Sequence, residues 1–78
     1  MVKAVLPGLG EGIKSATLSY WYFKPGEKVA QNNDLVEFAT DKATFNLPSP
    51  CSGTLSKIFF QEGDTVNVGD AVAEIEEG

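Results

Sequence analysis

The residue best placed for chemistry is a lysine at the tip of a hairpin. In Val36-Glu37-Phe38-Ala39-Thr40-Asp41-Lys42-Ala43-Thr44-Phe45-Asn46-Leu47, two apolar-rich runs flank Thr40-Asp41-Lys42-Ala43, which reads as two strands joined by a turn. A primary amine held there is open to an acylating enzyme. Charged turn residues are ordinarily solvated surface, so Lys42 gains meaning only from its company. Little else in the chain competes with it. The sequence has no histidine, which removes Ser–His and Cys–His nucleophile pairs and any ordinary zinc site. Its single cysteine, Cys51, lies between Pro50 and Ser52 with no activating cation beside it, and reads as a small filler. Glu76-Glu77 reads as a solvated tail, because a catalytic carboxylate pair needs a pocket to work in. Trp21 reads as structural. By its own side chains this is not an enzyme.

The elements that would position Lys42 come from a duplication. Sliding the chain by 37 residues lays Leu18-Ser19-Tyr20-Trp21-Tyr22-Phe23-Lys24-Pro25-Gly26-Glu27-Lys28-Val29 on Leu55-Ser56-Lys57-Ile58-Phe59-Phe60-Gln61-Glu62-Gly63-Asp64-Thr65-Val66 without a gap. The register continues through Leu35/Val72, Glu37/Glu74 and Phe38/Ile75. Two like halves imply a quasi-symmetric body, with the Lys42 hairpin at one end and the two termini near the other.

Strands are expected over Val2 to Leu6, Ala16 to Phe23, Lys28 to Ala30, Leu35 to Ala39, Ala43 to Leu47, Gly53 to Phe60, Thr65 to Val68 and Ala71 to Glu76. Turns at Lys24-Pro25-Gly26-Glu27, Gln61-Glu62-Gly63-Asp64 and Gly69-Asp70 separate them. Pro48-Ser49-Pro50 should end the return strand. No 3.6-residue apolar period is present, so the class is all-β. Alternation nominates Leu18, Val29, Val36, Phe38, Leu55, Val66, Val72 and Ile75 for the core.

Seventy-eight residues make one small domain, residues 1–78, whose core is marginal without staples. With one cysteine there is no internal disulfide, so the body must hold by closing its sheets on themselves. Apolar runs are too short for a membrane span. Met1-Val2-Lys3 opens straight into a strand without a signal-peptide hydrophobic region. The expectation is either an intracellular protein or one from which an import segment has been removed. Net charge is −5, with six lysines and no arginine, which argues against nucleic-acid binding. Gly8-Leu9-Gly10-Glu11-Gly12-Ile13-Lys14-Ser15 is a glycine-rich loop, but no helix pattern follows it and Glu11 would repel phosphate, so it is not a nucleotide site.

In this order and spacing the motifs resemble the lipoyl domains of 2-oxo acid dehydrogenase complexes, which stand at the N-terminus of the dihydrolipoamide acyltransferase subunit. Leu6-Pro7-Gly8-Leu9-Gly10-Glu11-Gly12-Ile13 is similar to that family's opening strand and Gly-Glu loop. Trp21-Tyr22-Phe23-Lys24-Pro25-Gly26-Glu27-Lys28-Val29 is similar to its tryptophan strand and turn. Thr40-Asp41-Lys42-Ala43 matches its modification hairpin, and Gly63-Asp64-Thr65-Val66 with Gly69-Asp70 its second repeat. The resemblance covers essentially the whole chain. It departs at one position: the family often has glutamate three residues before the lysine, in association with correct lipoylation, and this chain has Ala39.

The resemblance implies a flattened barrel or barrel-sandwich hybrid of two four-stranded sheets, with lipoic acid in amide linkage at Lys42. Asp41, Ala43 and the loop residues Gly10, Glu11 and Gly12 would serve recognition. Implied partners are a lipoate-protein ligase, a thiamine-dependent 2-oxo acid decarboxylase, the acyltransferase core and dihydrolipoamide dehydrogenase. The isolated domain would be monomeric, in the cytoplasm of a bacterium or the matrix of a mitochondrion. Two other readings stand beside this one. Biotinyl carriers share the fold and a hairpin lysine, but resemble one another in having methionine on both sides of it; here the neighbours are Asp41 and Ala43. An unmodified barrel-sandwich adaptor need keep neither a lysine at the tip nor the Gly-Glu-Gly loop.

Overall fold

The computed structural model describes residues 1–8 and 12–77. Eight strands follow in order: β1 (Val2–Val5), β2 (Ser15–Trp21), β3 (Lys28–Val29), β4 (Asp34–Ala39), β5 (Thr44–Pro48), β6 (Gly53–Ile58), β7 (Thr65–Asn67) and β8 (Ala71–Glu77). They form two antiparallel four-stranded sheets, ordered β1-β8-β6-β3 and β5-β4-β2-β7. Among the described residues the hydrogen-bond ladders do not run on into one another. The expected closure of the sheets is therefore achieved by side chains across a shared core, as in a sandwich. Pro48 is the last residue of β5 rather than outside it. That strand lies at a sheet edge, where a residue without an N–H can be accommodated.

The duplication is visible in the backbone. β2, β3 and β4 map onto β6, β7 and β8, so each sheet is the other's counterpart, with β1 corresponding to β5. The β2–β4 register slips between Leu18 and Tyr20, and the β6–β8 register slips between the equivalent Leu55 and Lys57. The turn bonds repeat as well. Lys24 N–H donates to the Glu27 carboxylate at 2.6 Å, and Gln61 N–H donates to that of Asp64 at 2.8 Å. Asn32 has φ of 72° where its counterpart Gly69 has 94°. Asparagine tolerates this left-handed conformation best after glycine, so one sequence difference leaves the turn unchanged.

All eight nominated core residues are buried, and they form a single cluster joined by Ala4, Leu6, Ala16, Leu35, Leu47 and Ala73. Leu35 and Val36 are both inside because the β4–β5 register shifts between Asp34 and Val36; strict alternation sends one of them to solvent. Trp21 is structural, as expected: it is half-buried, with Nε1–H donating to the Phe60 carbonyl at 3.0 Å. Cys51 is a half-buried free thiol packed against the core. Val2 pairs with Ile75, as their counterparts Phe45 and Phe38 pair beside the hairpin. The ends of this chain thus stand, under the repeat, where the other half carries the Lys42 turn.

Candidate functional site

Thr40 to Ala43 connect β4 to β5, and the two residues at the tip, Asp41 and Lys42, are both exposed. Neither has positive φ, so the connection is not one of the primed turns whose twist suits a two-residue hairpin. Thr40 resolves the mismatch. Its N–H donates to the Ala43 carbonyl at 2.8 Å, as a ladder bond should. The reciprocal bond from Ala43 N–H goes instead to the Thr40 hydroxyl oxygen at 3.2 Å, which also accepts from Lys42 N–H at 3.3 Å. The same hydroxyl donates to the Ala43 carbonyl at 3.0 Å. One side chain therefore ties the backbone on both sides of the tip, and the pair Phe38/Phe45, stacked at 5.7 Å between ring centres, holds the hairpin base. The base of Lys42 is fixed while its amine projects from the body, with no hydrogen-bond or ion-pair partner among the described residues.

Beside the tip lies an open groove of about 620 Å³. It is lined by Gly12, Ile13 and Lys14, from the loop between β1 and β2, by Ala39, Thr40, Asp41 and Lys42, and by Ser15, Ala16, Thr17 and Thr65. Gly12 has a φ of 80°, in the left-handed region that favours glycine. The Lys14 carbonyl accepts from Val68 N–H at 2.9 Å and pins the loop's return. Of the residues nominated from sequence, the structure brings together Lys42, Asp41 and Gly12 at this groove, with Ala43 exposed next to them in the turn. Gly10 and Glu11 lie outside the described residues. Sequence reasoning gave no role to Thr40, Thr17 or Thr65 at the site. A threonine directly before a turn is a hint of side-chain-to-backbone bonding, but groove walls from three separate segments carry no signal along the chain.

The arrangement can present one amine to an external enzyme. Among the described residues no group of His, Cys, Asp or Glu could hold a metal ion. A group joined to Lys42 would be tethered at one fixed point and otherwise free in solvent, with a groove alongside. That geometry fits a long covalently attached cofactor.

Comparisons with known proteins agree. The family model for biotin and lipoyl attachment, described as "Biotin-requiring enzyme", matches residues 3–75. The chain is 44% identical over 77 residues to the dihydrolipoyllysine-residue succinyltransferase component of the 2-oxoglutarate dehydrogenase complex of Rickettsia conorii, covering 99% of this chain and 20% of that protein. It is 37% identical over 71 residues to the lipoamide acyltransferase component of the branched-chain alpha-keto acid dehydrogenase complex of Bacillus subtilis, covering 91% and 17%. The chain thus spans about a fifth of the length of these relatives. Among solved structures, the lipoyl domain of the 2-oxoglutarate dehydrogenase complex from Azotobacter vinelandii superposes with a TM-score of 0.81 at 31% identity, covering 100% of this chain and 99% of that one. On sequence and architecture together, the chain belongs to the biotin/lipoyl attachment family and has the fold of its lipoyl domains.

Proposed function

We propose that residues 1–78 act as one lipoyl carrier domain, with lipoic acid in amide linkage to Lys42, in the acyltransferase subunit of a 2-oxo acid dehydrogenase complex. The single observation that carries this reading is the Lys42 turn: an exposed amine on a backbone that Thr40 holds on both sides of the tip, in a chain that superposes on a solved lipoyl domain. When attached, the group supplies a dithiolane that accepts acyl groups and electrons. The chain's own residues supply position. A lysine amine is ordinarily protonated at neutral pH, so the ligase must meet it in the open and remove a proton, and the exposed tip allows that. Amide formation removes the charge of Lys42 and leaves Asp41 as the charge at the tip. The rigid body then presents one attachment point to successive active sites, raising local concentration without doing the chemistry.

The ligase, a thiamine-dependent decarboxylase, the acyltransferase core and dihydrolipoamide dehydrogenase are the partners this role requires. The relatives compared are bacterial, in keeping with a cytoplasmic complex, and among the described residues no helix is long and apolar enough to cross a membrane. Lipoyl is favoured over biotinyl by the residues beside Lys42 and by the names of the relatives. The test is electron transfer. Treated with lipoate-protein ligase, ATP and lipoate, this chain should be reduced by dihydrolipoamide dehydrogenase with NADH, and Lys42→Arg treated in the same way should not. Equal reduction of the two proteins overturns the assignment.

A further inference from the structure

The two sheets are counterparts in backbone but not in the charge on their outer faces. On the sheet without the hairpin, Glu74 lies between Lys3 and Lys57 across the strands. On the hairpin sheet its counterpart Glu37 lies between Asn46 and Tyr20. Both cations have been replaced, and the half-buried Glu37 carboxylate has no partner among the described residues. Tyr20 and Tyr22 beside it are 51% and 43% exposed, packed edge to face at 5.1 Å. Tyr22 is held by its hydroxyl, which donates to Asn46 Oδ1 at 3.2 Å, and Asn46 Nδ2 donates in turn to Asp34 at 3.2 Å. Ordered, exposed aromatic rings beside two carboxylates, with no lysine in the row, make a surface complementary to a cation. An arginine or lysine can lie over a tyrosine face while its charged end meets a carboxylate.

The position of this face suggests its use. Glu37 is three residues along β4 from Thr40, so at the usual strand rise it stands roughly 10 Å below the turn. The low row of Thr44, Ala39, Thr17 and Thr65 intervenes, with Ser19 at the bulge of β2. A protein seated here would have its active site at the Lys42 arm. We propose that this face docks a basic surface of the acyl-loading 2-oxo acid decarboxylase, through an arginine or lysine placed over Tyr20 and paired with Glu37. The proposal rests on the carrier reading above. The arm is the same on every such domain, so selection at loading must come from protein surface.

The experiment is acyl incorporation from a labelled 2-oxo acid into the lipoylated chain by the decarboxylase, at low and high salt. Glu37→Gln and Tyr20→Ser should each lower kcat/KM about fivefold at low salt, the size expected of one exposed cation contact. For Glu37→Gln the deficit should shrink as salt rises. Glu74→Gln, the counterpart on the other sheet, should match wild type, as should the lipoylation rates of all three variants. Acylation of Glu37→Gln and Tyr20→Ser at the wild-type rate overturns the docking face. An equal loss in Glu74→Gln overturns it too, since the effect would then be general acidity. A parallel loss in lipoylation overturns the assignment to the decarboxylase. A wild-type chain that cannot be lipoylated at all overturns the carrier reading first, and this proposal with it.

Discussion

Thr40 shows how much of the site depends on one side chain that does no chemistry. Its hydroxyl meets Lys42 N–H, Ala43 N–H and the Ala43 carbonyl. Thr40→Val keeps the shape and removes these bonds, so it should cost on the order of 1 kcal/mol in urea unfolding and slow lipoylation by loosening the tip. An unchanged lipoylation rate would show that the ligase does not need a rigid turn. Ala39 is the second residue of interest. It is half-buried in the groove wall, opposite Thr44 and Thr17, so a longer side chain can extend along the groove. Ala39→Glu should speed lipoylation in a time course read by intact mass. Stability should change by under about 0.5 kcal/mol, as for most surface substitutions. Equal rates would show the glutamate to be dispensable here. Lys42 itself was legible from sequence because turn, flanking strands and duplication all point at it. Thr40 was not, since its role lies in the geometry of a tight connection that residue types alone do not specify.

Among the elements, the eight strands were legible within a residue or two, since alternation and turn chemistry repeat in both halves. What alternation could not show is the bulges. Leu35 and Val36 are both buried, as are their counterparts Val72 and Ala73, and a period of two allows only one of each pair inside. The correspondence of β1 with β5 was hidden for another reason. Leu6 N–H donates to the Asp70 carbonyl as Ser49 N–H donates to that of Asn33, but the offset between these strands differs from that of the other three, and their sequences share little. Gly53 at the start of β6 is a further case. A Cβ there would strike the backbone of Glu76 and Glu77 in the neighbouring strand. Gly53→Ala should therefore destabilise by about 1–3 kcal/mol in urea titration, the usual cost of overpacking. Wild-type stability would mean that β8 yields freely.

For the whole molecule, the quasi-twofold makes a quantitative expectation possible. Leu18 and Leu55 are symmetry counterparts, both fully buried in the one core. Each changed to Ala should lose about 2–5 kcal/mol, a large share of a total stability of the order of 5–15 kcal/mol. Similar losses at the two positions, measured by thermal or urea unfolding, would confirm that the halves share one cooperative core; a large loss at only one would show unequal halves. The symmetry is broken at the end of the sheets, where one half carries the Lys42 turn and the other the first and last strands, and in the connection from β1 to β2, which is longer than that from β5 to β6. The duplication made this plan legible in advance. It could not reveal that the sheets remain separate ladders, because a sandwich and a closed barrel share the same alternation. Of the six lysines, Lys42 alone, by its place at this turn, is proposed to receive lipoate. The direct measurement is intact mass and peptide mapping after incubation with lipoate-protein ligase and biotin ligase together, with both cofactors and ATP present. A single lipoyl group on Lys42 is the expected result; a biotinyl group, or a lipoyl group on Lys3, Lys14, Lys24, Lys28 or Lys57, would contradict it.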